Sequence, residues 1–476
     1  MDPRGIDKEA GRQHARPVAS VEGLPDGSVA EIVYDPSAHR TSFCVSKEGE
    51  WRLDPHITLR GERLVPYSPN NSLLRHDVVL LPSGPEEYGS EQALLEEVQA
   101  FIHRYVDVSP LFERIACHYV LLSWVYDAFS ELPYLRLRGD PGSGKTRFLL
   151  AVGSLCYKPI FASGASTVSP LFRVLDAFRG TLIIDEGDFR FSDERAEIVK
   201  ILNSGNARGF PVLRSEGSEK REFDPRAYTV FGPKLVATRG YFDDRALESR
   251  CLTEEMGQLP LRDDIPISLP AAYRAEALAL RNRLLLFRFR TLGRAPVAPA
   301  LVDRAIEPRL NQVFAPLHAV VADPETQRDL RDLARRYNRE LIADRGLEVE
   351  AQLLEVIRGL IAKGEVLSIK AITSGFTEAY GGDYDRKPST KWIGGVVRRK
   401  LRLRPQKSHG VFTVSSGELP KLRRLFERYG IEPVGETPGT DSADGLSQRP
   451  SVDVGEVGDV APPLQAAEVS GPAPRA

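Results

Sequence analysis

Residues 135–146, reading LRLRGDPGSGKT, constrain this chain more than any other stretch. Leu135 and Leu137 alternate as a short strand would. Gly139, Asp140, Pro141, Gly142, Ser143, Gly144, Lys145 and Thr146 then fit the spacing G-x-x-x-x-G-K-T of a phosphate-binding loop at every fixed position. The glycines permit backbone angles and close approaches that turn successive N–H groups toward phosphate oxygens. A helix expected from about Lys145 adds the positive end of its dipole. Lys145 suits the β- and γ-phosphates, and Thr146 suits a magnesium ion. Phe148, Leu149, Leu150 and Val152 give that helix an apolar side, so strand, loop and helix follow in the order an α/β P-loop fold needs.

A second strand, TLIIDE, ends in Asp185 and Glu186, forty positions beyond Lys145. Its apolar run suits a buried parallel strand, whose C-terminal end is where α/β sheets hold ligands. Asp185 would hold the magnesium, usually through water, and Glu186 would polarise the attacking water. A third strand, KLVAT, ends in the hydroxyl of Thr238, and Ser249-Arg250-Cys251 comes after it.

In this order the loop, the strand ending in two carboxylates, the polar-ended strand and the Ser-Arg-Cys triplet resemble the AAA+ ATPases. The resemblance implies ATP and Mg2+ as cofactors, and Arg250 as a finger reaching the ATP of a neighbouring subunit, with Arg245 as second candidate. It sets Thr238 at the first sensor, where the family commonly has asparagine, and Arg309 at the second sensor on the γ-phosphate. Residues 210–231 read as a long β-hairpin, similar in placement to the hairpin of superfamily 3 and minichromosome-maintenance helicases. That likeness implicates Lys220 and Arg221 in gripping DNA, although Glu216, Glu219 and Glu222 share the tip.

The expected domains come from changes of pattern. Residues 1–27 are a polar, flexible leader, and 28–90 form a small β-rich domain with Lys47-Glu48-Gly49 at a hairpin turn. Residues 91–264 hold two leading helices and the αβ core, and 265–346 a helical lid. His118 and Trp124, on the second leading helix, read as core residues.

Residues 347–431 run helix, short strand VLSI, helix, helix and hairpin, which resembles a winged helix. Ser389 can cap its third helix, and Trp392, Ile393, Val396 and Val397 supply an inward stripe. From Arg386 to Gly417 there are nine lysines or arginines and no carboxylate, including Lys391, Arg398, Arg399, Lys400, Arg402 and Lys407. One-signed charge of this kind is a footprint for nucleic-acid phosphates. Residues 432–476 are acidic, rich in proline and glycine and free of aromatics, the composition of a disordered tail.

Formal net charge is -2 over 476 residues, so a DNA surface has to be local. Four scattered cysteines argue against a disulfide framework or zinc site and fit a cytoplasmic setting. No apolar run is long enough to span a membrane. The whole arrangement resembles helicase-like ATPases of phages, plasmids and other mobile elements, which implies DNA as partner and a homo-oligomeric ring, a hexamer, serving replication. Two further classes stay open at this level: an ATP-gated loader of another replication protein, and a DNA-binding regulator switched by ATP.

Overall fold

The computed structural model describes residues 15–21, 23–163, 168–185, 193–217, 223–242, 244–257, 261–293, 301–346, 349–383, 388–408 and 410–432. The chain divides into two compact units, residues 1–345 and 346–476.

The first unit opens with β1 (Arg16–Val18), β2 (Val29–Asp35), β3 (Arg40–Lys47), β4 (Glu50–Asp54), β5 (Ile57–Leu59), β6 (Glu62–Pro66) and the one-turn helix α1 (Ser72–Arg75). Strands β2, β3 and β4 form one antiparallel sheet, and β1, β6 and β5 a second. Glu48 and Gly49 both have positive φ, 53° and 91°, as a two-residue hairpin between Lys47 and Glu50 requires. The leader expected over 1–27 does not hold for its described end, because β1 pairs in parallel with β6 and Ala19 is buried beside it. This β-rich region is not a separate body. Val33 and Cys44 pack into the same apolar cluster as the next helices, and Phe161 N donates to Val78 O across 2.9 Å.

Helices α2 (Glu91–Tyr105) and α3 (Pro110–Trp124) lead into the central sheet. Ser90 and Ser109 cap them by accepting the amides of Ala93 and Phe112. Almost all of α3 is buried; His118 bonds Arg114 O through Nδ1, and Trp124 donates to Leu155 O.

The centre comprises β7 (Tyr134–Arg138), α4 (Lys145–Leu155), β8 (Ile160–Ser163), α5 (Val168–Phe178), β9 (Leu182–Asp185), α6 (Asp193–Ser204), β10 (Val212–Gly217), β11 (Phe223–Tyr228), β12 (Lys234–Thr238), α7 (Arg245–Glu248) and β13 (Cys251–Glu255). Five strands form a parallel sheet in the order β13-β7-β12-β9-β8, a mixed α/β arrangement consistent with a P-loop NTPase-like core. Because β12 lies between β7 and β9, the C-terminal ends of all three meet at one edge. The hairpin expected over 210–231 appears as β10 and β11, paired from Val212↔Tyr228 to Gly217↔Phe223. Helices α8 (Tyr273–Thr291), α9 (Pro308–Val320) and α10 (Pro324–Gly346) complete the unit.

The second unit contains α11 (Val349–Ala362), α12 (Ile369–Tyr380), α13 (Thr390–Arg399), β14 (Pro405–Ser408), β15 (Val411–Val414) and α14 (Leu419–Arg428). The expected strand VLSI is reduced to a single bridge, Ser368↔Thr413. Ser389 caps α13 by accepting from Trp392 N at 3.2 Å. Ile393, Val396 and Val397 are buried as expected, but Trp392 is 38% exposed. The first three lie at i, i+3 and i+4 on one helix face, whereas Trp392 is turned about 100° from Ile393, with its ring edge against Phe376.

Candidate functional site

Strand β7 brings the chain to the C-terminal edge of the sheet at Gly139, and α4 starts at Lys145. Gly144 precedes the helix at φ 92°, in the left-handed region that favours glycine. At Gly139 a side chain is excluded by space, since a Cβ would lie 2.7 Å from Met256 O and 3.0 Å from Ser143 Oγ. Asp140, Pro141 and Gly142 are exposed at the loop's crest. Lys145 Nζ donates to Gly139 O at 2.6 Å and Asp140 O at 2.7 Å, so the ammonium lies against the loop's own carbonyls.

Thr146 Oγ1 donates to Asp185 Oδ2 across 2.7 Å, joining the start of α4 to the end of β9. A hydroxyl and a carboxylate at this separation suit magnesium, which takes few protein oxygens beside water and phosphate. Glu186 lies outside the described residues. Thr238 ends β12 opposite Arg138, and its carbonyl accepts from Gly139 N at 3.3 Å. Its hydroxyl donates to Gly240 O at 3.0 Å, and the residue is 2% exposed.

Arg250 stands at the other edge. Cys251 pairs with Tyr134 at the start of β7, so Arg250 is separated from Gly139 by the length of that strand, about 16 Å or more at the usual rise. An arginine side chain cannot cover that distance to its own loop. Nη1 donates to Asn203 Oδ1, while the buried Nε has no partner among the described residues. Burial, and then the like charge of Arg309, push the Arg250 guanidinium below its ordinary value. Arg309, in the first turn of α9, is thus grouped with Arg250, although the family likeness assigns the two to different phosphate sites. Of Arg245 the backbone alone is described, at the start of α7.

Sequence reading missed a set of residues behind the loop. Arg136, 1% exposed in the middle of β7, gives both Nη atoms to Glu248 and Nε to Thr253 Oγ1 at 3.0 Å. Arg138 pairs with Glu255, and its guanidinium stacks 3.4 Å from the centre of the exposed Tyr241 ring. Met256 N donates to Arg138 O at 2.6 Å, and a Cβ on Gly257 would lie 3.0 Å from Ser143 Cβ, so the chain leaving β13 leans on the loop. The signal was the alternation LRLR: arginine at an inward position of a central strand calls for a carboxylate partner.

In the second unit Lys391, Arg398 and Arg399 are exposed on α13, and Arg402, Arg404 and Lys407 continue the exposed series. Arg398 lines two adjacent surface depressions, one with Lys391 and Trp392 and the other with Arg402, Arg404 and Lys421. Lys400 has a structural partner, buried Glu350 at 3.0 Å. Lys220 and Arg221 lie outside the described residues. Among those described, no cluster of three histidine, cysteine or acidic residues could hold a metal, and no helix is long and apolar enough to cross a membrane.

No family model and no curated protein matches the chain. Solved structures to which it is similar include the apo NrS-1 C-terminal region, at 10% identity, covering 81% of this chain and 96% of that one with a TM-score of 0.35. A full-length MCM homolog from Methanopyrus kandleri matches at 13% identity over 66% and 78%, TM-score 0.35. The JCV helicase matches at 14% over 58% and 66%, TM-score 0.23. Likeness at this level says nothing of the chain's chemistry, which rests on the geometry above.

Proposed function

We propose that this chain is a DNA-dependent, ATP-hydrolysing AAA+ motor, a ring-forming helicase or translocase in the replication of a mobile element. The observation that carries the reading is the meeting of the loop, the Thr146–Asp185 pair and Thr238 at one sheet edge, with Arg250 held at the other.

The loop amides would cradle the phosphates, and Lys145 would exchange the Gly139 and Asp140 carbonyls for β- and γ-phosphate oxygens. Thr146 and, through water, Asp185 would hold magnesium, which when bound neutralises charge on those phosphates. Glu186 would orient the attacking water, and Thr238 would take the first-sensor role once its hydroxyl leaves Gly240 O. Arg250, too far from its own loop, serves the ATP of a neighbouring subunit, and Arg309 accompanies it. Arginine supplied in trans makes hydrolysis depend on assembly, as a ring of six such subunits provides. The basic series Lys391, Arg398, Arg399, Arg402 and Lys407 would hold DNA through its phosphates, as on a winged helix, with Lys220 and Arg221 at the hairpin tip as the moving contact.

The test is ATP hydrolysis by the purified protein with and without single-stranded, forked and duplex DNA, using Glu186→Gln as the blank. Stimulation by DNA followed by strand separation on the fork supports the motor. Hydrolysis indifferent to every DNA counts against it and favours a loader that awaits its replication partner.

A further inference from the structure

A cavity of about 390 Å³ lies away from the phosphate loop, between the second half of α4, the face of α8 and residues 74–81. Its wall is mostly apolar, with Leu74, Val79, Leu150, Phe161, Ala277 and Leu278 facing it, and Asp77, Arg274 and Arg281 are its charged members. Its volume falls in the range of small-molecule sites, which are mostly apolar with few polar groups to orient the ligand.

One charged group at this wall is unaccounted for. Arg281, on α8, is only 6% exposed, and its guanidinium makes one hydrogen bond among the described residues, from Nη1 to Ser154 O at 2.8 Å. The buried Nε has no partner among them. No described carboxylate forms an ion pair with it; Asp77, at the cavity rim, favours its charge only from a distance and is held by Arg274 at 2.8 Å. The other buried arginines of this unit differ sharply. Arg136 has Glu248, and Arg288 has Glu31 and Asp127. Burial lowers the Arg281 guanidinium to about 10, so it still carries its charge at neutral pH. A buried cation without a contacting counter-charge is costly, and buried charges in proteins are paired.

We propose that this cavity binds an amphipathic carboxylate, its anionic head on Arg281 and its medium-chain apolar body along Leu150, Phe161 and Ala277. With Nη1 engaged by Ser154 O and Nε closed off from solvent, Nη2 is the guanidinium nitrogen left to donate a charge-assisted hydrogen bond to a carboxylate oxygen. The ligand supplies the missing counter-charge and fills the apolar space together. A neutral chain of the same length would satisfy only the second need.

Calorimetry with sodium decanoate, kept below micelle formation, tests this on the full chain, with decanol as the uncharged control. Saturable binding of one decanoate per chain and a raised Tm are expected, with decanol at least tenfold weaker. Arg281→Met should lose decanoate by tenfold or more while keeping an unliganded Tm no lower than the parent's, because it removes an unpaired buried charge. Leu278→Trp, which fills the space, should abolish binding of both. Equal binding of decanoate and decanol, undiminished decanoate binding in Leu278→Trp, or an unliganded Tm well below the parent's in Arg281→Met would each overturn the proposal. The last would assign Arg281 to holding the end of α4. Should Arg281→Met fail to fold, that outcome also counts against it, and the decanoate and decanol comparison on the parent protein stands independently.

Discussion

Glu248 holds Arg136 by both Nη atoms, fixing a buried cation in the strand that leads into the phosphate loop. The same carboxylate accepts the amide of Phe242 at 3.1 Å and lies two residues before Arg250. One side chain therefore joins the loop strand, the segment after Thr238 and the helix before Arg250. Glu248→Ala should leave Arg136 charged and unpaired, costing about 3–5 kcal/mol in urea unfolding. Combining it with Arg136→Met should recover most of that loss.

The Thr146–Asp185 pair predicts how magnesium dependence divides. Thr146→Val should still bind a fluorescent ATP analogue in EDTA but lose the gain on adding magnesium. Lys145→Ala should abolish binding under both conditions. Undiminished magnesium dependence in Thr146→Val would remove the hydroxyl from the metal site.

Arg250→Ala should bind ATP normally and hydrolyse it at least a hundredfold more slowly. Glu186→Gln should do the same. Mixed assemblies should regain turnover, because some interfaces then combine an intact Glu186 with an intact Arg250 from the neighbour. Confirmed co-assembly without recovery would place both residues in one subunit's site.

Glu31 carries the acid response. Burial opposes its ionisation, but Lys158 at 2.8 Å and Arg288 at 2.7 Å outweigh burial and hold its carboxyl at about 2, against an ordinary 4.5. A lowered carboxyl contributes stability that is complete above pH 4.5 and drains away as pH falls toward 2. Glu31→Gln should flatten the unfolding profile in that window. At pH 7 it should cost about 3–5 kcal/mol, since buried Lys158 loses its carboxylate partner and Arg288 keeps only Asp127.

Arg398→Gln with Arg399→Gln should weaken DNA binding and reduce the slope of log K against log salt by up to about 2. Lys400 is unsuitable for this purpose, because removing its charge also unpairs Glu350. An unaltered slope would move the DNA contact to another surface.

How far the sequence spoke depended on whether the information was local. The loop, the apolar strand before Glu186 and the N-cap at Ser389 are written in contiguous residues, and each lies in the element its spacing suggested. The partners of Arg136, Arg281 and Glu31 come from segments more than a hundred residues away, and no periodicity encodes them. Trp392 misled because an aromatic beside an apolar stripe looks inward until the 100° step is counted. Residues 16–18 misled because their strand is held by β6, some fifty residues on.

Strand β7 has another consequence, for how the protein is made. Its two neighbours, β12 and β13, pair with Tyr134 through Lys234 and Cys251, one hundred or more residues later. At about 5–20 residues per second, the ribosome leaves that strand without either partner for roughly 5–20 seconds. During that interval Leu135 and Leu137, both wholly buried in the finished fold, have nothing in the sheet to cover them. The nascent chain therefore carries two uncovered apolar side chains until β12 emerges, and the phosphate loop cannot take its finished form until β13 has emerged and the chain beyond it has closed against Gly139.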